Sequence, residues 1–374
     1  MLEGIQLSLY IGPALPLPAP RKVVDALTRV EVTVKSDDVS GFQLFFSVDK
    51  NSSINTLFLF SGGSPIPLIR VMLVVTLQGT PEVLIDGVVT NTELQPGNDG
   101  GNSTLVITGE DLSRVMDYFD FSGIPYPMPD FVKVATIIAK YSPLGIVPAP
   151  VPAILTDFPI PTNEIPAQEG TDLYYILGLA RKNGHVFYVE SGPAPGLNIA
   201  YWGPEIKVGI PQPALSINMD AHTNVESLSF NFNSEYKTTP VVYVNEPVTK
   251  MPIPIPIPDI SPLNPPLGLV QPIAKKVEQL GEAAKENPVR AAMFGLKKAA
   301  ETSDAITADG SLSVLRYGRI LKARRLVGVR GAGHAFDGLY FVTSVKSTIE
   351  RGTFNQRFTL SRNGLISITQ KIPV

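Results

Sequence analysis

The chain has 374 residues, of which 44% are hydrophobic and 17% are charged, and its formal net charge is −3. That length exceeds what one hydrophobic core usually serves, so two or more subdomains are expected. The small net charge excludes a global electrostatic attraction to nucleic acid or to acidic membranes. The absence of cysteine excludes disulfides, thiolate metal sites and cysteine nucleophiles, and it fits a cytoplasmic product.

The N-terminus lacks the pattern of a secretory signal. Glu3 stands where a basic region should be, and prolines from Pro13 to Pro20 interrupt any apolar segment after it. The longest apolar run, Val71 to Leu77, is far shorter than the roughly 20 residues that a membrane helix needs. We therefore expect no membrane partner.

Residues 1–110 have the pattern of a β region. The candidate strands are Val30 to Lys35, Phe42 to Val48, Leu57 to Phe60, Val71 to Leu77, Val83 to Val89 and Ser103 to Thr108. Asp86-Gly87 is typical of a hairpin turn, and Gly97 to Asn102 of a flexible polar loop. Many short strands with glycine and asparagine turns favour a small closed or nearly closed barrel. We interpret this region as most of a first barrel.

Residues 111–166 are predicted to form a helical and proline-rich insertion. Thr108 opens a capping-box pattern before a helix whose apolar face comprises Leu112, Val115, Met116 and Phe119. A second short helix starts at Asp130. The prolines that follow exclude continuous helix or central strand, because proline lacks the backbone donor. This part is either an extended excursion that packs against the protein or a surface loop.

Residues 167–250 are predicted to contain a helix and then a second group of strands. Thr171 has the pattern of a helix N-cap, and Gly184 that of the residue just after a helix end. The candidate strands are His185 to Glu190, Leu215 to Asn218, Val225 to Asn231 and Val241 to Val244.

Residues 251–310 begin with the alternating isoleucines and prolines of Met251 to Pro266. Such alternation favours polyproline II, a stiff spacer that rises by roughly 3.1 Å per residue. Its isoleucines suggest that it lies along a protein surface. A helix through Ile273, Val277 and Leu280 is predicted next, and a second one between Val289 and Ala300.

The residues that usually carry chemistry do not form a recognisable site. His185, His222 and His334 share no metal-ligand spacing. The glycines of Gly331 to Phe336 superficially resemble a phosphate loop, but a strand follows them, so no helix N-terminus would hold a phosphate. The adjacent acids at Glu110-Asp111 suit a cap rather than a catalytic pair. We therefore predict no catalytic residue, no cofactor and no metal.

One cluster of basic residues is a candidate contact. Its members are Arg316, Arg319, Lys322, Arg324, Arg325 and Arg330, within a stretch predicted to be strand. They could line a tube lumen or face a neighbouring subunit, and the alternative is a solvated face with local acidic partners. Direct binding of nucleic acid is not expected, because no aromatic residues are interleaved for base stacking.

The C-terminal segment 311–374 ends in two strong strand patterns. Leu339 to Val345 is rich in aromatic and β-branched residues, and Phe354 to Leu360 alternates between apolar and polar positions. Gly352 between them and Asn363-Gly364 after them are turn signals. This segment contains the motif DGLYFVTSV, then Gly352, and then the motif FTLSRNG. In these three features it resembles the end of the baseplate hub proteins of contractile phage tails. That family includes the late-control protein D proteins and the hub half of VgrG.

This resemblance implies a mainly β fold with inserted helices, in which two similar small barrels carry helical and proline-rich insertions. The first barrel would be completed by segment 311–374, and the second would lie in 167–250. The family implies a homotrimer that joins a sixfold tail tube to a threefold spike, with other baseplate subunits as further partners. The particle would be assembled in the bacterial cytoplasm. A VgrG would continue into a spike, so we expect the spike here to be a separate chain.

Two other classes stay open at this point. One is a β-sheet binding module or carbohydrate-active protein with a proline-rich linker, which would need a pocket with convergent polar groups. The other is a secreted adhesin, which the missing signal and the missing cysteines disfavour.

Overall fold

The computed structural model describes most of the chain. The described residues are 5–49, 52, 54–58, 68–97, 102–153, 166–192, 194–245, 251–257, 264–280, 292, 295–296, 298–299 and 302–368. None of the helices in those ranges is both long and apolar enough to cross a membrane.

The strands, numbered in chain order, make up most of the regular structure. They are β1 (Ile5–Gly12), β2 (Leu17–Pro18), β3 (Leu27–Lys35), β4 (Gly41–Val48), β5 (Arg70–Leu77), β6 (Thr80–Gln95), β7 (Ser103–Asp111), β8 (Ile146–Pro150), β9 (Val186–Ser191), β10 (Asn198–Gly203), β11 (Gln212–Ser216), β12 (Ser227–Phe232), β13 (Thr238–Asn245), β14 (Pro252–Pro256), β15 (Gly268–Val270), β16 (Lys276–Gln279), β17 (Ile306–Ser313), β18 (Leu326–Arg330), β19 (Gly338–Glu350), β20 (Thr353–Arg362) and β21 (Leu365–Ser367).

The helices are fewer and shorter. They are α1 (Arg21–Ala26), α2 (Ile54–Leu57), α3 (Asp130–Ala139), α4 (Asp172–Lys182) and α5 (Val314–Tyr317), with 3-10 turns at Leu112–Asp117, Ser142–Leu144 and Asp220–His222. The predicted class, mainly β with inserted helices, is confirmed.

One large sheet of 13 strands forms the frame of the molecule. Its main path is β12-β17-β20-β19-β3-β4-β7-β6-β5-β1-β2, with β18 also paired to β19 and β11 paired to β18. The path has two ends among the described strands, so they form no closed barrel. The division of the chain at residues 110, 166, 250 and 310 stays a prediction.

The first half of this sheet follows directly from side-chain patterning. In β4, buried and half-buried residues alternate along the whole strand, which places one face on the core. The turn between β5 and β6 is Gln78-Gly79, and both residues have positive φ, as a two-residue hairpin of this twist requires. The turn predicted at Asp86-Gly87 is wrong, because both residues lie inside β6.

Two further predictions for this half need correction. The strand predicted from Leu57 is wrong at its start, since Leu57 ends the short helix α2, and residues 59–60 lie outside the described residues. The N-terminal strand β1 was missed, although it pairs with β5 along its full length.

The long strands β19 and β20 connect the two halves of the sheet. The first part of β19 pairs with β18, its second part pairs with β3, and β20 runs beside both parts. One hydrophobic core continues across the halves, from Phe46 on β4 to Leu360 on β20. The C-terminal segment therefore completes the sheet that the N-terminal segment begins.

A smaller α/β unit packs beside this sheet. Its three strands have the order β8-β10-β9, and α3, α4 and a 3-10 turn bury a second core around Trp202. The Thr171 hydroxyl accepts the backbone N–H of Tyr174, and Gly184 has a φ of 64°, so both predicted helix ends are confirmed. The helix predicted at Leu112 is instead a 3-10 turn that Asp111 caps.

The region 167–250 does not form one sheet. Strands β9 and β10 belong to the α/β unit, β11 and β12 extend the large sheet, and β13 lies in a third sheet of order β14-β13-β16. In this third sheet Pro252–Pro256 is strand β14, so the polyproline spacer predicted from Met251 to Pro266 is wrong over those residues, and its residues 258–263 lie outside the described residues. The helix predicted through Val277 is also wrong, because β16 pairs with β13 instead. Residues of the next predicted helix that are described, such as Leu296 and Ala299, are helical.

Candidate functional site

The basic segment predicted as a contact has an unexpected backbone. Only Arg330 lies on a strand, while Arg316 lies in α5 and the others lie in the loop between α5 and β18. The strand prediction across this segment is therefore wrong before residue 326. The loop buries Ile320, Leu321 and Ala323 in the main core, which explains its strand-like alternation.

Along this loop, side-chain amides make the hydrogen bonds to the backbone that a neighbouring strand would otherwise make. The Gln356 side chain accepts the N–H of Leu321 and donates to its carbonyl, at 2.8 and 3.0 Å. The Gln212 side chain does the same for Lys322, at 2.8 and 2.9 Å. Both backbone groups of each residue are thus satisfied without a ladder, so the loop is held firmly in an extended form.

The basic side chains separate into two groups. The Lys322 ammonium lies 3.0 Å from a Glu82 carboxylate oxygen on β6, and an Arg325 guanidinium nitrogen lies 3.6 Å from Glu190 on β9. Arg316 and Arg319 are exposed and form no ion pair with any described residue. The six residues therefore do not form one continuous basic face, and their role as a subunit or lumen contact stays a prediction.

Arg324 occupies a position that the sequence did not indicate. Its guanidinium carbon lies 3.9 Å from the centre of the Tyr188 ring, and its Nε donates to the Ser36 carbonyl at 3.3 Å. Its φ of 62° is unfavourable for a side chain with a Cβ, by about 1–3 kcal/mol. Burial lowers the pKa of this guanidinium, and burial with Glu190 nearby raises the pKa of Tyr188 to about 12.

Two cavities lie on either side of Arg324, where the α/β unit meets the large sheet. The first has a volume of about 230 Å³ and is lined by Tyr188, Tyr201 and Phe341 among others. The second has a volume of about 310 Å³ and lies between β3, β6, β9, β19 and the basic loop. Arg325 crosses this junction through its ion pair with Glu190, and Arg324 crosses it by lying over the Tyr188 ring, so the basic segment joins the two units.

A buried ion pair secures the same junction elsewhere. Arg70 on β5 makes two hydrogen bonds to Asp86 on β6, at 2.7 and 2.6 Å, and both side chains are almost fully buried. Asn198 of β10 donates to Asp86 at 2.9 Å, and the Asp86 N–H donates to the Ser191 hydroxyl. The sequence signal for this ion pair was Arg70, a charged residue that follows Ile69 and adjoins a long apolar run. This signal was missed.

Arg362 and Asn363, in the C-terminal motif, fix neighbouring segments through hydrogen bonds. The buried Arg362 guanidinium donates to the carbonyls of Asp337 and Ala335, at 2.9 and 2.8 Å, and lies over the Tyr340 ring. The Asn363 side chain accepts the N–H of Leu267 at 2.8 Å. These motif residues therefore hold the turn before β19 and the chain before β15 in place.

The histidines and the glycine-rich segment have structural positions. His185 is buried with its ring 4.3 Å from that of Trp202, whereas His222 and His334 are exposed. Gly331 and Gly333 both have positive φ and form the predicted turn. Among the described residues, no group of three or more histidine, aspartate or glutamate side chains is arranged to hold a metal ion.

Comparison with solved structures identifies proteins of similar fold. No protein-family model matches the chain, and no curated protein matches it in sequence. The tail protein from Neisseria meningitidis MC58 is similar with a TM-score of 0.63 and 13% identity, over 97% of this chain and 98% of that one. The 43 kDa tail protein of prophage MuSo2 from Shewanella oneidensis is similar with a TM-score of 0.61 and 13% identity, over 96% and 98%.

A Francisella PdpA–VgrG complex contains a third similar chain. Its TM-score is 0.59 at 10% identity, and the match covers all of this chain but 60% of that one. At such identities the similarity concerns the fold. The chain thus has the fold of phage tail proteins and of a chain in a VgrG complex, which confirms the resemblance expected from its C-terminal strands.

Proposed function

We propose that this chain is a structural baseplate hub of a contractile tail or injection particle. The observation that carries the proposal is the length of the structural match, which covers 97% of this chain and 98% of a phage tail protein. A similarity that uses nearly all of both chains leaves little room for an added catalytic domain within the matched part. The role is therefore one of assembly, and no reaction is part of it.

The hub would act as a homotrimer that joins a sixfold tail tube to a threefold spike. Two similar units in each of three subunits would give pseudo-sixfold symmetry on the side of the tube. The two halves of the large sheet, which share β19 and β20, are the best candidates for these units. Curved half-sheets of neighbouring subunits would then complete the ring that each chain leaves open.

Exposed apolar side chains support a role in assembly. Leu15, before β2, and Leu17, the first residue of β2, are 75% and 70% exposed, and Ile210 is 94% exposed. Exposed apolar side chains that lie close together, as on the segment of Leu15 and Leu17, are typical of surfaces that another protein covers. The proposed partners are further copies of this chain, the tail tube protein, a spike protein and other baseplate subunits.

Within this proposal, Arg316 and Arg319 are the basic residues best placed for a subunit or lumen contact, because both are exposed and uncommitted among the described residues. Lys322, Arg324, Arg325 and Arg330 would act within the subunit or at its edge. We propose assembly in the bacterial cytoplasm, and neither nucleic acid nor membrane as a direct ligand.

The test is the mass of the purified chain by light scattering, alone and after mixing with a candidate spike protein. A species of three times the monomer mass, ring-shaped by negative stain, is the expected result. Ile210→Asp should weaken the trimer, while Val277→Asp, an exposed change on the small third sheet, serves as the control. A chain that stays monomeric with the spike and tube proteins present would contradict the proposal.

A β-sheet binding module is the second candidate. It is favoured by one observation, the cavity of about 310 Å³ between the large sheet and the α/β unit.

A further inference from the structure

The larger cavity has the composition of a small-ligand site. Its walls are mostly apolar, and its side chains come from strands that are distant in sequence; the apolar ones include Val32, Val34, Leu84, Ile85, Leu321 and Val345. A volume of about 310 Å³ is at the lower end of the range for ligand pockets, roughly 300–1,000 Å³. Such pockets typically carry a few polar groups that orient the ligand.

Three buried polar atoms of cavity-lining residues have no hydrogen-bond partner among the described residues. They are Nη2 of Arg324, the hydroxyl oxygen of Ser40 and a carboxylate oxygen of Glu82, and only the last has an ion pair, with Lys322. A buried donor without an acceptor costs about 1–3 kcal/mol, and more when it is charged. An acceptor for Arg324 Nη2 would therefore be stabilising, and the described part of the chain does not supply one.

The Arg324 side chain is held in place rather than free to turn away. Its N–H donates to the Val342 carbonyl at 2.8 Å, its Nε donates to Ser36, and its guanidinium lies over the Tyr188 ring. Its left-handed backbone is maintained by these contacts. A donor fixed in this way is preorganised for an incoming acceptor.

The carboxylates around the cavity are already engaged. Glu82 is paired with Lys322, and Glu190 is paired with Arg325. Asp111 accepts the backbone N–H groups of Ser40 and Ser113, at 2.7 and 2.9 Å. Arg324 forms no ion pair with any described carboxylate, and Glu190 and Asp111 act on it only at longer range, so its guanidinium is the group in this cavity that can take a carboxylate in direct contact.

We propose that this cavity binds an apolar group that carries a carboxylate. The carboxylate would accept hydrogen bonds from Arg324 Nη2 and the Ser40 hydroxyl, and the apolar part would lie against Val34, Leu84 and Val345. The same chemistry is offered by the C-terminal residue of a partner chain and by a free medium-chain carboxylic acid. This site does not depend on the hub proposal, and each can fail without the other.

The first experiment measures binding of octanoate to the full chain by isothermal titration calorimetry. We expect octanoate to bind and octanamide, which keeps the shape but not the charge, to bind at least tenfold more weakly. N-acetyl-leucine and its amide form the second pair, and they represent a chain terminus. Tighter binding of N-acetyl-leucine than of octanoate assigns the site to a partner's C-terminus, and the reverse order assigns it to a free acid. Failure of both acids to bind would overturn the proposal.

Variants then locate the site. Arg324→Met keeps an unbranched side chain of similar length but removes the donor, so octanoate binding should fall at least tenfold. Arg319→Met, on the same loop but exposed, should leave binding unchanged. Leu84→Phe fills the cavity from its other wall and should also abolish binding, which covers the case in which the Arg324 variant does not fold. Unchanged binding in either cavity variant would exclude this location.

Discussion

The central strand β5 and the proline-rich strand β14 show how backbone donors decide the place of an apolar segment. Strand β5 has an N–H group at every residue, pairs with β1 on one side and β6 on the other, and is buried along nearly its whole length. Strand β14 has N–H groups only at Ile253 and Ile255. Successive N–H groups of a strand point to opposite edges, so its prolines leave one edge with no donor.

The one usable edge of β14 faces β13. Its register pairs Ile255 with Val242 and Ile253 with Val244, and Ile257 continues the same edge by donating to Pro240. The opposite edge cannot take up another strand through N–H donors, which protects the small sheet against unwanted pairing. Both segments are apolar, and it is the pattern of donors that separates a central strand from a terminal one.

The largest difference between the two regions should appear when a core side chain is truncated. Phe354 on β20 is fully buried, so Phe354→Ala should lower the free energy of unfolding by about 4 kcal/mol. Ile255→Ala on β14, where the side chain is 42% exposed, should cost about 1 kcal/mol or less. Urea unfolding followed by circular dichroism measures both. Equal losses would show that β14 is as tightly integrated as the large sheet.

The buried ion pair tests how the large sheet tolerates charge. Asp86→Ala leaves Arg70 without its partner in an apolar site, and we expect a loss of about 3 kcal/mol in the free energy of unfolding. Replacing both residues, as Arg70→Met with Asp86→Leu, should recover much of that loss, because no buried charge then remains. A double variant as unstable as Asp86→Ala would mean that loss of the hydrogen bond from Asn198, rather than the unpaired charge of Arg70, causes the loss of stability.

Restoring donors to β14 should change association more than stability. In Pro254→Thr with Pro256→Thr, the outer edge gains two N–H groups while the strand keeps its pairing to β13. We expect self-association that rises with concentration, measured by sedimentation velocity, and a change in stability below about 1 kcal/mol. Ile255→Thr adds the same side chain without a new donor and should not associate. Equal behaviour of the two would contradict the donor argument.

The smallest expected effect concerns the pH dependence of Asp111, at the end of β7. Burial raises its pKa, although hydrogen bonds from Ser113 and Ser40 oppose the shift. Because the folded carboxyl holds its proton to higher pH than the unfolded one, its contribution to stability falls as pH rises from about 4 towards the folded pKa. Asp111→Asn should therefore gain stability relative to the wild type over that window. Parallel pH profiles in thermal unfolding would contradict this prediction.

Local patterns predicted those elements whose signals lie within a few residues of one another. Such signals are the cap at Thr171, the helix end at Gly184 and the alternation along β4. Each depends on residues within one turn or one strand, and each is present in the structure. The C-terminal sequence motif also predicted the fold. Its residues Arg362 and Asn363 contact segments that this architecture places beside them.

Three of the errors share one cause, which is a partner that lies far away in the sequence. Asp86-Gly87 resembles a turn, but Arg70 and Asn198 hold Asp86 inside a strand. The polyproline pattern became a strand because β13 offered an edge. The basic loop resembles a strand, but Gln356 and Gln212 satisfy its backbone instead.

By itself, the sequence determined the mainly β class, both ends of the helix α4 and the C-terminal strands that carry the family resemblance, because propensity, capping and alternation depend on neighbouring residues. Only the tertiary structure decided which segments became central or terminal strands, and that the basic loop joins two units around a cavity. The physical reason is that hydrogen-bond partners and counter-charges must be met in space, and residues such as Arg324 and Ser36 meet only after the chain has folded.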